Sequence, residues 1–142
     1  MSLRAQLITS AGDREHAFAI RREVFIDEQR VQADEEFDEY DATATHVLAF
    51  CDGEPAGTGR VVFHSGWAKI GRMAVRARYR RRGVGRAILT LLIETATRRG
   101  YSDLRLHAQT RAIPFYEALG FCAFGEEFDE AGIPHRAMHR GR

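Results

Sequence analysis

The sequence predicts an α/β fold of the α+β type, a mixed and mostly antiparallel sheet of six to seven strands flanked by about four helices. Two patterns carry this prediction. Three strand-like segments between residues 46 and 75 are separated by short turns only, which favours antiparallel pairing. A helix-like segment then separates two further strands, and such a unit requires a parallel crossover. The predicted order is β-α-(α)-β-β-β-α-β-α-β-β, in one domain over residues 3–140.

The first third of the chain is expected to contain a strand, a helix and an acidic segment. LRAQLIT has a strand-like pattern, and Asp13 is a suitable cap for a helix through HAFAIRREVFIDEQ. The apolar residues that share one face of this helix are Ala17, Ile20 and Val24. The acidic segment up to Asp41 is expected to be irregular or a short helix.

Three strands are expected next. HVLAFCDG and PAGTGRVVFH form two strands joined by a tight turn at Gly53 and Glu54, and WAKIGRMAV forms the third after a turn at Ser65 and Gly66. The apolar residues then change from the alternate spacing of a strand to the spacing of an amphipathic helix, at positions i, i+4, i+7, i+8 and i+11. These positions are Val84, Ile88, Leu91, Leu92 and Thr95.

The last third of the chain is expected to contain a strand, a short helix and a final pair of strands. Gly100 suits the end of the long helix, and DLRLHAQ is the next strand. A short helix then runs from Ala112 to Leu119 and ends at Gly120. FCAFGEEF and HRAMHR are expected to pair as a final hairpin around the turn DEAGIP.

Composition excludes several classes of protein. The 142 residues are 44% apolar and 29% charged, which is ordinary for a globular domain. No apolar run reaches 18 residues and MSLRAQLITS lacks a signal-peptide core, so the predicted location is the cytoplasm, with no membrane partner. Cys51 and Cys122 are far apart and outside any CxxC, which argues against a zinc site or a disulfide scaffold. Both are expected to be buried, and no metal is expected.

Charge is segregated although the net charge is only +1. Residues 27–41 contain eight acids and one arginine, and residues 72–86 contain seven arginines and no acid. Such blocks are usually solvated faces, although two blocks of opposite sign can receive differently charged ligands.

The stretch YRRRGVGRAI combines arginines and glycines at a strand-to-helix switch. The first turn of a helix leaves backbone N–H groups unpaired, and glycines let an anion approach them closely. The stretch therefore favours a phosphate site. A solvated basic face and a nucleic-acid patch are the alternatives, and the near-zero net charge with a single aromatic residue, Tyr79, disfavours nucleic acid.

Longer motifs resemble those of the GCN5-related N-acetyltransferase (GNAT) superfamily. RYRRRGVGRAIL carries the pattern [Q/R]-x-x-G-x-[G/A] after the strand IGRMAV, and AIPFYEALGF supplies a helix with a tyrosine before a Gly-Phe turn. The resemblance covers essentially the whole chain. IRREVFIDEQRV and DEAGIPHRAM further resemble small bacterial members of the ElaA and YjcF type.

The resemblance implies acetyl-coenzyme A as cosubstrate. The turn residues that map to its pyrophosphate are Arg81, Arg82, Gly83, Val84, Gly85 and Arg86. The strand residues that map to its pantetheine arm and thioester are Met73, Ala74 and Val75. The family often has Asn seven residues before the helix tyrosine, whereas this chain has Gln109, whose reach differs.

Acetyl transfer to an amine needs a neutral nucleophile, a stabilised oxyanion and a protonated leaving thiol. By resemblance, Tyr116 faces the sulfur and acts as the acid, because a phenol stays protonated at neutral pH. A backbone N–H near Val75 is a candidate to polarise the carbonyl. Glu28, in FIDEQ, is the first choice as general base. The other candidates for the base are Glu23, Asp41, His46, His107 and His135.

The predicted function is direct acetyl transfer from acetyl-CoA to an amine of a small molecule or peptide in a ternary complex. The alternative is a non-catalytic acyl-CoA-binding module. Nucleic-acid binding through residues 72–86 is a third hypothesis, and it predicts affinity that falls steeply with salt. An exposed edge of the final hairpin would allow a homodimer. The sequence leaves the acceptor amine open.

Overall fold

The computed structural model describes residues 1–141 and confirms the predicted order of elements. Its strands are β1 (Leu3–Leu7), β2 (Thr45–Cys51), β3 (Glu54–Phe63), β4 (Ala68–Val75), β5 (Leu104–Gln109), β6 (Cys122–Glu130) and β7 (Ile133–Arg140). Its α-helices are α1 (Ala11–Arg21), α2 (Ala33–Glu36), α3 (Val84–Arg98) and α4 (Ile113–Glu117). A π-helical segment (Arg22–Glu28) continues α1, and short 3₁₀ turns cover Glu39–Ala42, Ala77–Tyr79 and Thr110–Ala112.

The seven strands form one sheet in the order β1-β2-β3-β4-β5-β7-β6. Every neighbouring pair is antiparallel except β4 and β5, which the crossover helix α3 connects in parallel. This parallel pairing is short, since it joins only Ala68 with Leu104 and Lys69 with Arg105. Beyond these residues the two strands separate, and the sheet opens into a cleft.

A β-bulge in β4 accompanies this separation. Arg60 pairs with Gly71 and Thr58 pairs with Ala74, so two residues of β4 lie opposite one residue of β3. Arg72 occupies the bulge with φ of 51°, in the left-handed region that a non-glycine residue rarely adopts. A bulge of this kind bends the strand that contains it.

Helices cover both faces of the sheet. Along β2, Val47 and Ala49 point into the larger core beneath α3, whereas Leu48 packs under α1. The apolar face of α3 fills the larger core, as the helical spacing predicts, with Ile88, Leu89 and Leu92 fully buried. In residues 1–141, no helix is long and apolar enough to cross a membrane.

Several local predictions need correction. The N-cap of α1 is Ser10, not Asp13: the Asp13 N–H donates to Ser10 Oγ at 3.1 Å. The α-helix ends at Arg21 and continues in π geometry, where Gln29 N–H bonds Val24 O. The β2–β3 turn lies one residue earlier than predicted, at residues 52–53, and the β6–β7 turn is shorter than predicted, at residues 131–132, because strand pairing extends to Glu130 and Ile133. Cys51 is buried, but Cys122 is exposed because it opens the edge strand β6.

Candidate active site

A cavity of about 720 Å³ occupies the cleft where β4 and β5 separate. Its wall includes Met73 from β4, Gln109 from β5 and Tyr116 from α4, three of the residues predicted to form the site. The other walls come from β3, the π-helical segment, α2 and the β6–β7 turn. The fold thus brings segments far apart in sequence around one opening.

The glycine-arginine turn lies at the N-terminus of α3, immediately after β4. Gly83 is the N-cap with φ of 83°, and Arg81 also has positive φ, 64°. The first intrahelical bond runs from Ala87 N–H to Gly83 O at 3.0 Å, so the amides of the first turn have no helical partner. Exposed arginines flank this turn: Arg81, Arg82 and Arg86.

Gly85 is a position where a side chain has little room. A Cβ built there would lie 3.3 Å from Cζ of Phe115 and 3.8 Å from Cγ2 of Val75. The backbone of the turn is therefore close to both α4 and the end of β4. Free amides, positive φ at Gly83 and flanking guanidinium groups are the features that a bound pyrophosphate requires, so the residues fit the cosubstrate implied by the sequence.

Glu28 lies at this turn and is not one of the residues that line the cavity. Arg80 Nη2 contacts both of its carboxylate oxygens, at 2.9 and 3.0 Å, while Arg80 Nε donates to Val75 O at 2.9 Å. A second ion pair, Arg76 to Glu23 at 3.2 Å, also joins the π-helical segment to the residues after β4. Glu28 as general base stays a prediction, since this role requires the Arg80 contact to open.

Tyr116 is almost fully buried, 9% exposed, at the inner end of the cavity. Burial raises the pKa of its phenol to about 12. Edge-to-face contacts with Phe115 and Phe121, at centroid distances of 5.0 and 6.2 Å, hold the ring. The hydroxyl is therefore a proton donor at neutral pH rather than a base.

The acidic segment is held over the cavity by a buried network of three carboxylates and three arginines. Arg21 bonds Glu36 at 2.7 Å and Asp41 at 2.6 Å. Arg60 bonds Asp41 at 2.8 Å and Asp38 at 2.7 Å. Arg72, at the β-bulge, completes the network through Asp38 at 3.2 Å.

The network sets the ionisation of its carboxyl groups. Burial alone would raise the pKa of Asp41, but the Arg21 hydrogen bonds and charge, the Asp38 N–H and Arg60 together lower it to about 2. The pKa of Glu36 is raised, because burial outweighs the same arginines. Arg21 and Arg60 are not among the predicted site residues, although an arginine on the apolar face of a helix and another within an apolar strand indicate buried charge.

The family model for the acetyltransferase (GNAT) domain matches residues 8–140 of the chain. The chain belongs to the GNAT family. Among curated proteins, it is similar to a Bacillus subtilis protein described as an uncharacterized N-acetyltransferase, YjcF: 41% identity over 123 residues, 86% of this chain and 88% of the relative.

Solved structures of GNAT proteins agree with this assignment. An acyl-CoA N-acyltransferase from Pseudomonas aeruginosa has a TM-score of 0.87 at 27% identity, covering 99% of this chain and 100% of that one. Escherichia coli ElaA has a TM-score of 0.86 at 25% identity, covering 98% and 99%. The family, the fold and the ElaA/YjcF-like branch predicted from the motifs are confirmed. The protein is an N-acetyltransferase that uses an acyl-CoA donor.

Proposed function

We propose that residues 3–140 form one catalytic domain that transfers the acetyl group of acetyl-CoA directly to a primary amine of a small molecule or peptide. One observation carries this proposal. The turn at Gly83, with its unpaired backbone amides, and the cavity that contains Tyr116 lie at the two ends of the splayed segment of β4. A donor with phosphates at one end and a thioester at the other fits such a groove, and an amine can enter from the cavity.

The turn after β4 would hold the diphosphate. The free amides of Val84, Gly85 and Arg86 supply hydrogen bonds at the positive end of the α3 dipole. The exposed side chains of Arg81 and Arg82 add charge that neutralises the phosphates.

The splayed part of β4 would hold the pantetheine arm. Ala74 and Val75 lie beyond the last β4–β5 pair, so the arm can hydrogen-bond along this strand in place of β5. Met73 belongs to the bulge, whose extra residue is left out of the ladder with β3, and its backbone can meet the thioester. Gln109 accompanies the arm on the opposite side, oriented by a 2.9 Å hydrogen bond from its Nε2 to Gln29 Oε1.

The reaction proceeds by one displacement through a tetrahedral intermediate. The amine nitrogen forms a bond to the thioester carbon, the carbon–sulfur bond breaks, and Tyr116 gives its proton to the departing thiolate. The nitrogen loses a proton as it becomes an amide, and a proton returns to the Tyr116 phenolate through solvent. The raised pKa of Tyr116 keeps the phenol protonated until the thiolate develops. No covalent enzyme intermediate is needed, because the cavity brings both substrates together.

Calorimetry with coenzyme A tests the binding site. Gly83→Glu places a carboxylate at the proposed phosphate site, and we expect coenzyme A affinity to fall at least about tenfold, about 1.4 kcal/mol. Gly53→Glu is the matched control, because Gly53 has the same φ of 83° in the β2–β3 turn and open space around it. Equal affinity in both variants would refute the phosphate assignment.

A non-catalytic acyl-CoA-binding module predicts a different combination of results. It predicts tight coenzyme A binding that Gly83→Glu weakens, together with no release of free thiol from acetyl-CoA in the presence of any amine. Measuring thiol release alongside calorimetry separates the two functions.

A further inference from the structure

A second polar cluster lines the wall of the cavity opposite the acidic segment. It consists of His107 on β5, Glu130 at the end of β6 and His135 on β7. His107 Nδ1 lies 2.8 Å from Glu130 Oε1, and His135 Nε2 lies 3.8 Å from Glu130 Oε2. One carboxylate thus stands between two imidazoles, on the same cavity that contains Tyr116.

Partners on the ring nitrogens define the tautomer of each histidine. A carboxylate accepts hydrogen bonds but does not donate them, so His107 Nδ1 carries a proton and Nε2 is left as the basic nitrogen. His135 Nδ1 lies 2.7 Å from Ile133 O, so it also carries a proton, and its Nε2 is 3.8 Å from Glu130 Oε2, too far for a hydrogen bond. The arrangement of Glu130 and His107 matches the way a carboxylate orients a histidine base in hydrolases.

Accessibility distinguishes the two histidines. The side chain of His107 is 35% exposed and borders the cavity, whereas that of His135 is 9% exposed and stacks on Phe128 at a centroid distance of 6.0 Å. Phe128 also makes an edge contact with His107 at 5.0 Å. His107 is therefore free to meet an incoming amine, whereas His135 is held by Ile133 O and the ring of Phe128.

We infer that His107 is the general base of the acetyl transfer, with Glu130 as its positioning residue. This inference rests on the proposed function. The acceptor ammonium gives a proton to His107 Nε2, and the resulting neutral amine attacks the thioester. Glu130 stabilises the imidazolium through Nδ1–H, and the proton leaves to solvent after transfer. The nitrogen loses its second proton as the tetrahedral intermediate collapses to the amide, and a proton returns through solvent to the Tyr116 phenolate, so atoms and charge balance.

Charged groups around His107 act in both directions. Lys69 on β4 places Nζ 3.5 Å from His107 Nδ1, and its positive charge opposes protonation of the ring. Arg105, two residues earlier on β5, is paired with Asp103 through two hydrogen bonds of 3.0 and 2.8 Å. Glu130 places the opposite charge beside the ring, and the hydrogen bond from His107 lowers the pKa of its carboxyl.

The test compares His107→Gln and Glu130→Gln with His139→Gln, a control at an exposed position of β7 that does not line the cavity. The kcat/KM of acetyl transfer is measured against pH with whichever of spermidine, glucosamine, lysine or a short peptide reacts fastest. We expect His107→Gln to lower the rate about 100-fold or more and to remove the acid limb of the profile. Glu130→Gln should move that limb to lower pH, because the imidazolium loses its carboxylate. The control should keep the wild-type profile.

Nuclear magnetic resonance of the histidine side chains gives a readout independent of turnover. We expect wild-type His107 to be the Nδ1–H tautomer, and this preference to be lost in Glu130→Gln, which removes the carboxylate that accepts from Nδ1. An Nε2–H tautomer in the wild-type protein would overturn the inference even if His107→Gln failed to fold. An unchanged rate profile in folded His107→Gln would also overturn it. No turnover by the wild-type protein with any of these amines would overturn the proposed function itself, and the inference with it.

Discussion

Asp41 is the carboxylate of the buried network that pairs with both Arg21 and Arg60. Asp41→Asn should therefore destabilise the fold. The amide keeps the size of the side chain and one acceptor oxygen, but it removes the charge that Arg21 and Arg60 share at 2.6 and 2.8 Å. Both arginines are buried, and water cannot replace the lost carboxylate.

The magnitude follows from the pKa of Asp41. A fall from the ordinary 3.8 to about 2 means that the folded state prefers the ionised form. At about 1.36 kcal/mol for each pKa unit, this preference is worth about 2.4 kcal/mol at neutral pH. Breaking a buried pair typically costs about 3–5 kcal/mol, since it also leaves arginines without a partner. We expect a loss of about 3 kcal/mol in the free energy of unfolding at pH 7.

The sign of the pH dependence is fixed by a depressed pKa. The contribution of Asp41 is complete above its unfolded pKa and is lost as pH falls through the folded value of about 2. At pH 3 about 1.3 kcal/mol of it remains. The raised pKa of Glu36 gives a pH dependence of stability with the opposite sign, because ionising that group destabilises the folded state. Acid therefore destabilises the wild-type protein less than Asp41 alone would imply.

Urea unfolding followed by the fluorescence of Trp67, the single tryptophan, measures this effect at pH 7 and pH 3. Glu39→Gln is the matched control, because Glu39 lies in the same 3₁₀ turn but is exposed. We expect the deficit of Asp41→Asn to shrink by about 1 kcal/mol at pH 3. A deficit no larger than that of Glu39→Gln, or one that does not change with pH, would refute the role given to the network.

Two further substitutions test the assignment of roles in the site. Tyr116→Phe removes the proton donor and leaves the ring packing intact, so kcat should fall about 100-fold while calorimetry gives unchanged coenzyme A affinity; an unchanged kcat would count against Tyr116 as the acid. Glu28→Gln breaks an exposed ion pair with Arg80, so the free energy of unfolding measured by chemical denaturation should fall by less than about 1 kcal/mol. It should shift coenzyme A affinity a few-fold and leave the pH profile unchanged, whereas loss of the acid limb would make Glu28 the base.

Local patterns predicted the order of elements well. The helical period from Val84 to Thr95 and the glycine turn before it depend on neighbouring residues only, and the structure places α3 there. Helix ends were less certain, because Ser10 and Asp13 are both good capping residues and only the three-dimensional contact shows that Ser10 accepts from Asp13 N–H.

The buried ion pairs could not be located from sequence, because their partners are brought together by tertiary packing. Glu36 and Asp41 belong to a segment whose composition is typical of a solvated face, yet arginines from α1, β3 and the β4 bulge neutralise it. The cluster of His107, Glu130 and His135 likewise depends on β7 lying between β5 and β6. The histidines were candidates from sequence, but the carboxylate between them was not.

The most direct test of the account is the initial rate of acetyl transfer with both substrates varied. Purified protein is incubated with acetyl-CoA and the four amines, and free thiol and acetylated amine are measured together. We predict equal amounts of both products for at least one amine, with double-reciprocal lines that intersect, as a ternary complex requires. Parallel lines would contradict direct transfer, and absence of acetylated product with every amine would contradict the proposed acceptor class.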